Sequence, residues 1–259
     1  MEERMPATAA GRARGCGFVV WLHGLGDCGR ANECIADHFS AAAFRDTRWA
    51  FPTAPTAAVT CNLSFAGGML MPSWFDIHDA PIGSKSVRDE EDVLRAVQIV
   101  HTMIDREIAA GTNPDDVFVF GLSQGGALSI ASVLLYPKTL GGCAVFSGFL
   151  PFNSSSSSSS SFAARVTDEK KTPVLWIHGG ADSLIPIQEG RDGVKFLRGL
   201  GMSCEFKVYD SLGHTLAPYE LDYCERWVSE EVLNEHGQGP KKLSGRSKRF
   251  CGAFNCFSK

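Results

Sequence analysis

Asp116-Val117-Phe118-Val119-Phe120-Gly121-Leu122-Ser123-Gln124-Gly125-Gly126-Ala127 joins three local signals in one short stretch. The continuous apolar run over 116–120 suits a strand covered on both faces, and a helical pattern begins at Ala127. Between them lies Gly-x-Ser-x-Gly. A serine on such a strand-to-helix turn is pushed out of the sheet, and the flanking glycines make room where a Cβ would strike strand or helix. The helix behind it supplies N–H groups and a positive dipole end for a developing oxyanion. The plainer reading is a glycine-rich turn whose serine caps a helix.

Outward from this stretch the same alternation repeats. Apolar runs recur at Phe18–Leu22, 142–147 and 174–178, with weaker ones at 47–51 and 204–209. Helical periodicity fills 30–43, 87–110, 124–136, 188–200 and 218–235. The clearest is 87–110, where Val93, Val97, Val100, Ile104 and Ile108 recur every three or four residues and Gly111 marks the stop. Strands alternating with helices predict an α/β fold, a mostly parallel central sheet with helices on both faces, in a single domain. Two segments break the rhythm. Residues 52–86 form a long Pro- and Gly-rich connection containing Pro72-Ser73-Trp74-Phe75-Asp76-Ile77, too aromatic for a solvated linker. Residues 154–161 are eight consecutive serines, which cannot bury apolar area and are expected to form a disordered surface insertion.

A serine hydroxyl at its own pKa is a poor nucleophile, so a base is required, with a group to orient it. In this strand–turn–helix setting the expected chain order is Ser, acid, His. After the run 174–178 comes Gly179-Gly180-Ala181-Asp182, and after 204–209 comes Asp210-Ser211-Leu212-Gly213-His214. Ser123, Asp182 and His214 therefore all fall at carboxyl ends of parallel strands, where open α/β sheets build their sites. Asp210 is the rival acid, but it sits at the strand end itself and has less reach. Among the seven histidines His214 alone has the expected order and context. Leu22-His23-Gly24-Leu25-Gly26-Asp27 follows the first long strand, and its glycines allow a turn that presents N–H groups toward the serine. The expected oxyanion donors are the N–H of Gln124 and one from this early loop, that of Leu25.

With these stretches in order, the chain closely resembles the acyl-protein thioesterase and lysophospholipase-like carboxylesterases, over about residues 17–235. The His-Gly-Leu-Gly-Asp and Pro-Ser-Trp-Phe-Asp-Ile stretches make the resemblance specific. It implies the α/β-hydrolase fold, a triad of Ser123, Asp182 and His214, and an oxyanion hole framed by Leu25 and Gln124. It also implies cleavage of thioester-linked palmitate from protein cysteines, or of oxygen esters of lipids and small acyl substrates. Lysophospholipase and short-chain deacetylase activity are the alternatives within that class. No metal or organic cofactor is implied. Trp74, Phe75, Leu150 and Ile185 are the candidate acyl-channel residues, with core packing as the competing role. Outside catalysis, the alternative is a ligand receptor on a hydrolase scaffold.

Composition bounds these readings. The chain has 259 residues, 44% hydrophobic and 21% charged, which excludes overall disorder. Its formal charge of −4 hides two unlike parts. Residues 237–259 hold six basic residues and no acid, which leaves the body at −10. A body of that charge offers no footprint for nucleic acid. Residues 1–16, read as a flexible N-terminus, lack the apolar core of a secretory signal, and nine cysteines, an odd number with no pair two residues apart, exclude a zinc ribbon and argue against a disulfide framework. Cytoplasmic residence is expected, peripheral to membranes if the tail attaches there. The flexible tail, 236–259, interleaves its basic residues with Phe250, Phe254 and Phe257 and carries Cys251 and Cys256. That suits weak contact with anionic membrane surfaces, and the competing reading is a solubilising extension. Flotation of the full chain against one ending at His236 separates these. An attaching tail carries only the full chain up with anionic vesicles, and equal partitioning leaves a solubilising extension.

Overall fold

The computed structural model describes residues 17–62, 70–152, 166 and 172–232. The expectations for 1–16, for the serine run at 154–161 and for the tail from 236 lie outside the described residues. Six parallel strands form the central sheet: β1 (Phe18–Leu22), β2 (Arg48–Ala50), β5 (Val117–Leu122), β6 (Gly142–Phe146), β7 (Val174–Gly179) and β8 (Cys204–Tyr209). Their order is β2-β1-β5-β6-β7-β8. The principal helices are α2 (Glu90–Ala109), α3 (Gln124–Leu135), α4 (Ile187–Gly199) and α5 (Pro218–Trp227), preceded by the single turn α1 (Gly29–Asn32).

Strand alternation divides the interior in two. Val20, Val119, Val145 and Trp176 point to one side, where Val93, Val97, Val100 and Ile104 of α2, the apolar residues of α3, and Val194 and Leu197 of α4 cover them. Val19, Trp21, Phe120, Phe146 and Ile177 point to the other, against Ile35, Phe39 and Phe44 and against Leu221, Cys224 and Trp227 of α5. Every residue of β1, β6 and β7 is buried, as expected of strands covered on both faces. Helix α2 starts at Glu90 because the Asp89 side chain accepts the Glu91 N–H at 3.0 Å, and Glu90, Glu91 and Asp92 complement the dipole.

Three stretches depart from the periodicity. The helix expected over 30–43 shortens to α1 and continues as 3₁₀ turns at Glu33–His38 and Ala42–Phe44. Phe39 and Phe44 are five residues apart, so a continuous helix could not aim both at the core that Ile35 enters, and the chain breaks between them. The helix expected over 218–235 is α-helical only to Trp227, and a π turn follows at Val228–Val232. The connection 52–86 contains an antiparallel ribbon of β3 (Thr56–Ala58) and β4 (Leu70–Pro72), with Ala57 opposite Met71.

Close backbone approach fixes the loop after β1. A Cβ on Gly29 would overlap Phe51 O, whereas one on Gly199, at the end of α4, would meet nothing within 4 Å. Gly29→Ala should therefore lower stability by about 1–3 kcal/mol. Gly199→Ala should stay within about 0.5 kcal/mol of the parent in urea denaturation.

Candidate active site

The turn after β5 puts Ser123 at φ 58°, ψ −120°, a left-handed conformation rare for a residue with a Cβ. Close packing on either side enforces it. A Cβ on Gly121 would strike Gly125 O and approach Ser129 Oγ to 2.7 Å, and one on Gly125 would strike Leu22 O and His23 O. Both glycines of the Gly-x-Ser-x-Gly stretch are thus required by backbone contact. The Ser123 N–H donates to Phe146 O at 2.8 Å, and Ser123 O accepts the Ala127 N–H at 3.0 Å as α3 begins.

The three residues singled out from chain order come together. Ser123 Oγ lies 2.9 Å from His214 Nε2, and His214 Nδ1 lies 2.7 Å from Asp182 Oδ2. In the neutral imidazole the Nδ1–H donates to the carboxylate, which leaves Nε2 to accept the Ser123 hydroxyl. The other carboxylate oxygen, Oδ1, accepts the N–H groups of Leu184 and Ile185 at 2.9 and 2.8 Å, so the loop after β7 clamps Asp182. Asp210 is exposed and stays outside this relay. Ser123 and Asp182 are each only 6% exposed.

The loop after β1 runs beside the serine. A Cβ on Gly24 would lie 3.4 Å from Ser123 Cβ, at the limit of ordinary contact. The N–H groups of Leu25 and Gln124 have no acceptor among the described residues. The neighbouring Gly26, at φ 77°, donates its N–H to Pro72 O at 2.9 Å and joins the loop to the β3–β4 ribbon.

His23 shapes this loop from within. Its Nε2 accepts the Ala54 N–H at 2.9 Å and its Nδ1–H donates to Gly24 O at 2.7 Å. Burial lowers its pKa, which favours the neutral ring that this pattern requires. Trp74 and Gln124 complete the wiring. The Trp74 indole N–H donates to His23 O, and its backbone N–H donates to Gln124 Oε1, both at 3.0 Å. Gln124 Nε2 donates to Ser73 Oγ at 3.0 Å and Phe75 O at 2.6 Å.

From the sequence, Gln124 offers only its backbone N–H. Its side chain ties the turn at Ser123 to the segment 73–75, and no spacing pattern signals that. Trp74, Phe75, Leu150 and Ile185, named as acyl-channel candidates, are all buried in the core shared with α2 and α3. Trp74 has in addition the positioning role just described. His178 on β7 is a further residue that sequence reasoning passed over. It is fully buried, its Nε2–H donates to Ile185 O at 2.9 Å, and Nε2 lies 3.8 Å from Asp182 Oδ2. Burial lowers its pKa, so a neutral imidazole backs the loop that holds Asp182.

Comparison with known proteins places the chain among named relatives. A family profile described as phospholipase/carboxylesterase matches residues 4–230. A rice protein, Oryza sativa subsp. japonica, named "probable inactive carboxylesterase", is 77% identical over 235 residues, covering 90% of this chain and 91% of its own. Acyl-protein thioesterase 1 of the yeast Kluyveromyces lactis is 32% identical over 217 residues, covering 83% of this chain and 91% of its own. The crystal structure of SOBER1 from Arabidopsis thaliana superposes with a TM-score of 0.77 at 48% identity, covering 85% of this chain and all of that one.

The wiring around Gln124 gives a stability test. Leucine at this position keeps its own backbone N–H but strands the Trp74 backbone N–H in the interior, while the Ser73 hydroxyl still donates to Phe75 O. Gln124→Leu should cost about 1–3 kcal/mol in urea denaturation, the cost of one buried group left unpaired.

Proposed function

The chain belongs to the phospholipase/carboxylesterase family, and we propose that it is an active serine hydrolase that cleaves carboxylic esters and thioesters through an acyl-enzyme. The observation that carries this reading is the unbroken hydrogen-bonded run from Ser123 through His214 to Asp182, closed at 2.9 and 2.7 Å on a strained turn.

In the proposed mechanism Ser123 Oγ attacks the acyl carbonyl carbon and passes its proton to His214 Nε2. Asp182 holds the imidazole in the tautomer that can receive it and stabilises the imidazolium that forms. The carbonyl oxygen becomes an oxyanion facing the N–H groups of Leu25 and Gln124, which have no acceptor to surrender among the described residues. Collapse of this intermediate breaks the bond to the leaving alcohol or thiol, which takes the proton from His214. Water then repeats the sequence on the ester formed at Ser123, with His214 as base, and releases the carboxylic acid.

The relatives named carboxylesterase and acyl-protein thioesterase support an acyl ester or thioester as substrate, carried on a protein cysteine, a lipid or a small alcohol. A receptor that merely retained the pocket would have no need of serine, histidine and acid in mutual hydrogen bonding. This matters because one relative carries the word inactive in its name.

Ser123→Ala should lower hydrolysis of a short p-nitrophenyl ester by at least about 10³-fold with an unchanged urea midpoint. Turnover by that variant equal to the parent overturns the assignment. A series of acyl thioesters and oxygen esters from acetyl to palmitoyl, ranked by kcat/KM, then assigns the preferred chain length and leaving group.

A further inference from the structure

Glu220 stands in α5, six residues after His214. Its side chain is fully buried, with 0% of the residue exposed. Carboxylates are rarely buried to this degree without a cationic or metal partner. Here one oxygen, Oε2, accepts the Ala217 N–H at 2.7 Å, while Ala217 O accepts the Glu220 N–H at 3.0 Å. The other oxygen, Oε1, has no partner among the described residues. The reciprocal pair pins the start of α5, and with it the short segment that carries His214 toward Asp182.

The surroundings oppose ionisation. Asp182 acts on Glu220 through its charge, and Glu220 in turn acts on Tyr209 of β8. The other elements packed against α5 bring Glu33, Asp37 and His38 on the turn 33–38, His178 on β7 and Glu230 in the turn that follows. On its own helix Glu220 is accompanied by Asp222, Glu225 and Arg226, and none of them hydrogen-bonds to its side chain.

We propose that Glu220 is a positioning residue of the acid–base relay: as a neutral carboxylic acid it holds the segment bearing His214 in register with Asp182 and Ser123. The proposal rests on the hydrolase reading above. A neutral acid keeps the carbonyl oxygen on the Ala217 N–H and places no second negative charge beside Asp182. Loss of its proton would leave a buried charge with one undonated oxygen, which water must enter to solvate. The start of α5 and His214 would then shift together. Burial, reinforced by the charge on Asp182, pushes the Glu220 pKa up to about 8, so the neutral form prevails at neutral pH.

A carboxyl with a folded-state pKa above its unfolded value stabilises the fold fully below the unfolded pKa, and that stabilisation drains away as pH rises toward the folded pKa. Between about pH 5 and pH 8 the urea midpoint of the parent should therefore fall relative to that of Glu220→Gln, which has no proton to lose.

The test pairs this denaturation series with fluorophosphonate labelling of Ser123, on full-length parent, Glu220→Gln and Glu220→Ala. In the parent the labelling rate at pH 9 should drop about tenfold from its value at pH 7, the fraction of a group titrating near 8 that stays neutral. In Glu220→Gln the ratio of the two rates should stay near one. Glu220→Ala, which loses the tether, should label more slowly at both pH values. Parallel urea midpoints for parent and Glu220→Gln overturn the neutral acid. A widening gap in midpoints together with identical labelling profiles overturns the positioning role. Absence of labelling in the parent at every pH overturns the hydrolase reading instead, while the denaturation series, which needs no turnover, still decides the protonation state of Glu220.

Discussion

The contact of Gly125 with the end of β1 is the constraint from which the site follows. Helix α3 is driven so close to Leu22 and His23 that no side chain fits at Gly125, and Gly121 is held as tightly from behind by the backbone of that same turn. Between two such contacts Ser123 has no relaxed backbone conformation open to it and sits at φ 58°. Strain of this kind costs about 1–3 kcal/mol and survives only where the surroundings over-determine it. Here two buried cores, one on each face of the sheet, hold β1 and β5 in parallel register, with Leu22 opposite Gly121, and so hold the contact shut.

Polar groups then transmit that rigidity to the loops. His23, Trp74 and Gln124 bind one another and the backbone at Gly24, Ala54 and Phe75, so three segments far apart in the chain become one hydrogen-bonded unit around the serine. On the opposite side Asp182 is clamped by two backbone N–H groups, with neutral His178 behind it. On the proposed mechanism the donors and the relay are in place before any substrate arrives, which is the condition under which oriented dipoles lower a barrier most effectively.

Much of this was legible in the sequence because it depends on local chemistry. The continuous apolar runs at 18–22, 142–147 and 174–178 can only be strands buried on two faces. The order of Ser123, Asp182 and His214, each just past a strand, places all three at one edge of a parallel sheet. What could not be read depends on packing between distant segments. The 30–43 pattern fails as a helix because Phe39 and Phe44 must enter the same core, a requirement invisible without the opposing α5. The β3–β4 ribbon pairs residues across a connection that has no alternating pattern. Glu220 reads as an ordinary first-turn acid, and only the fold shows that its side chain points inward.

The two cores also differ in what they contain, and this makes the protein observable in a particular way. Trp21, Trp49 and Trp227 belong to the aromatic core beside α5, while Trp74 and Trp176 belong to the core under α2, α3 and α4. Trp74 alone among the five indoles is hydrogen-bonded to the loop beside the serine. The emission of the native chain is therefore a composite of two interiors. With Trp74 as the sole fluorophore, it would become an optical signal of the loop beside Ser123.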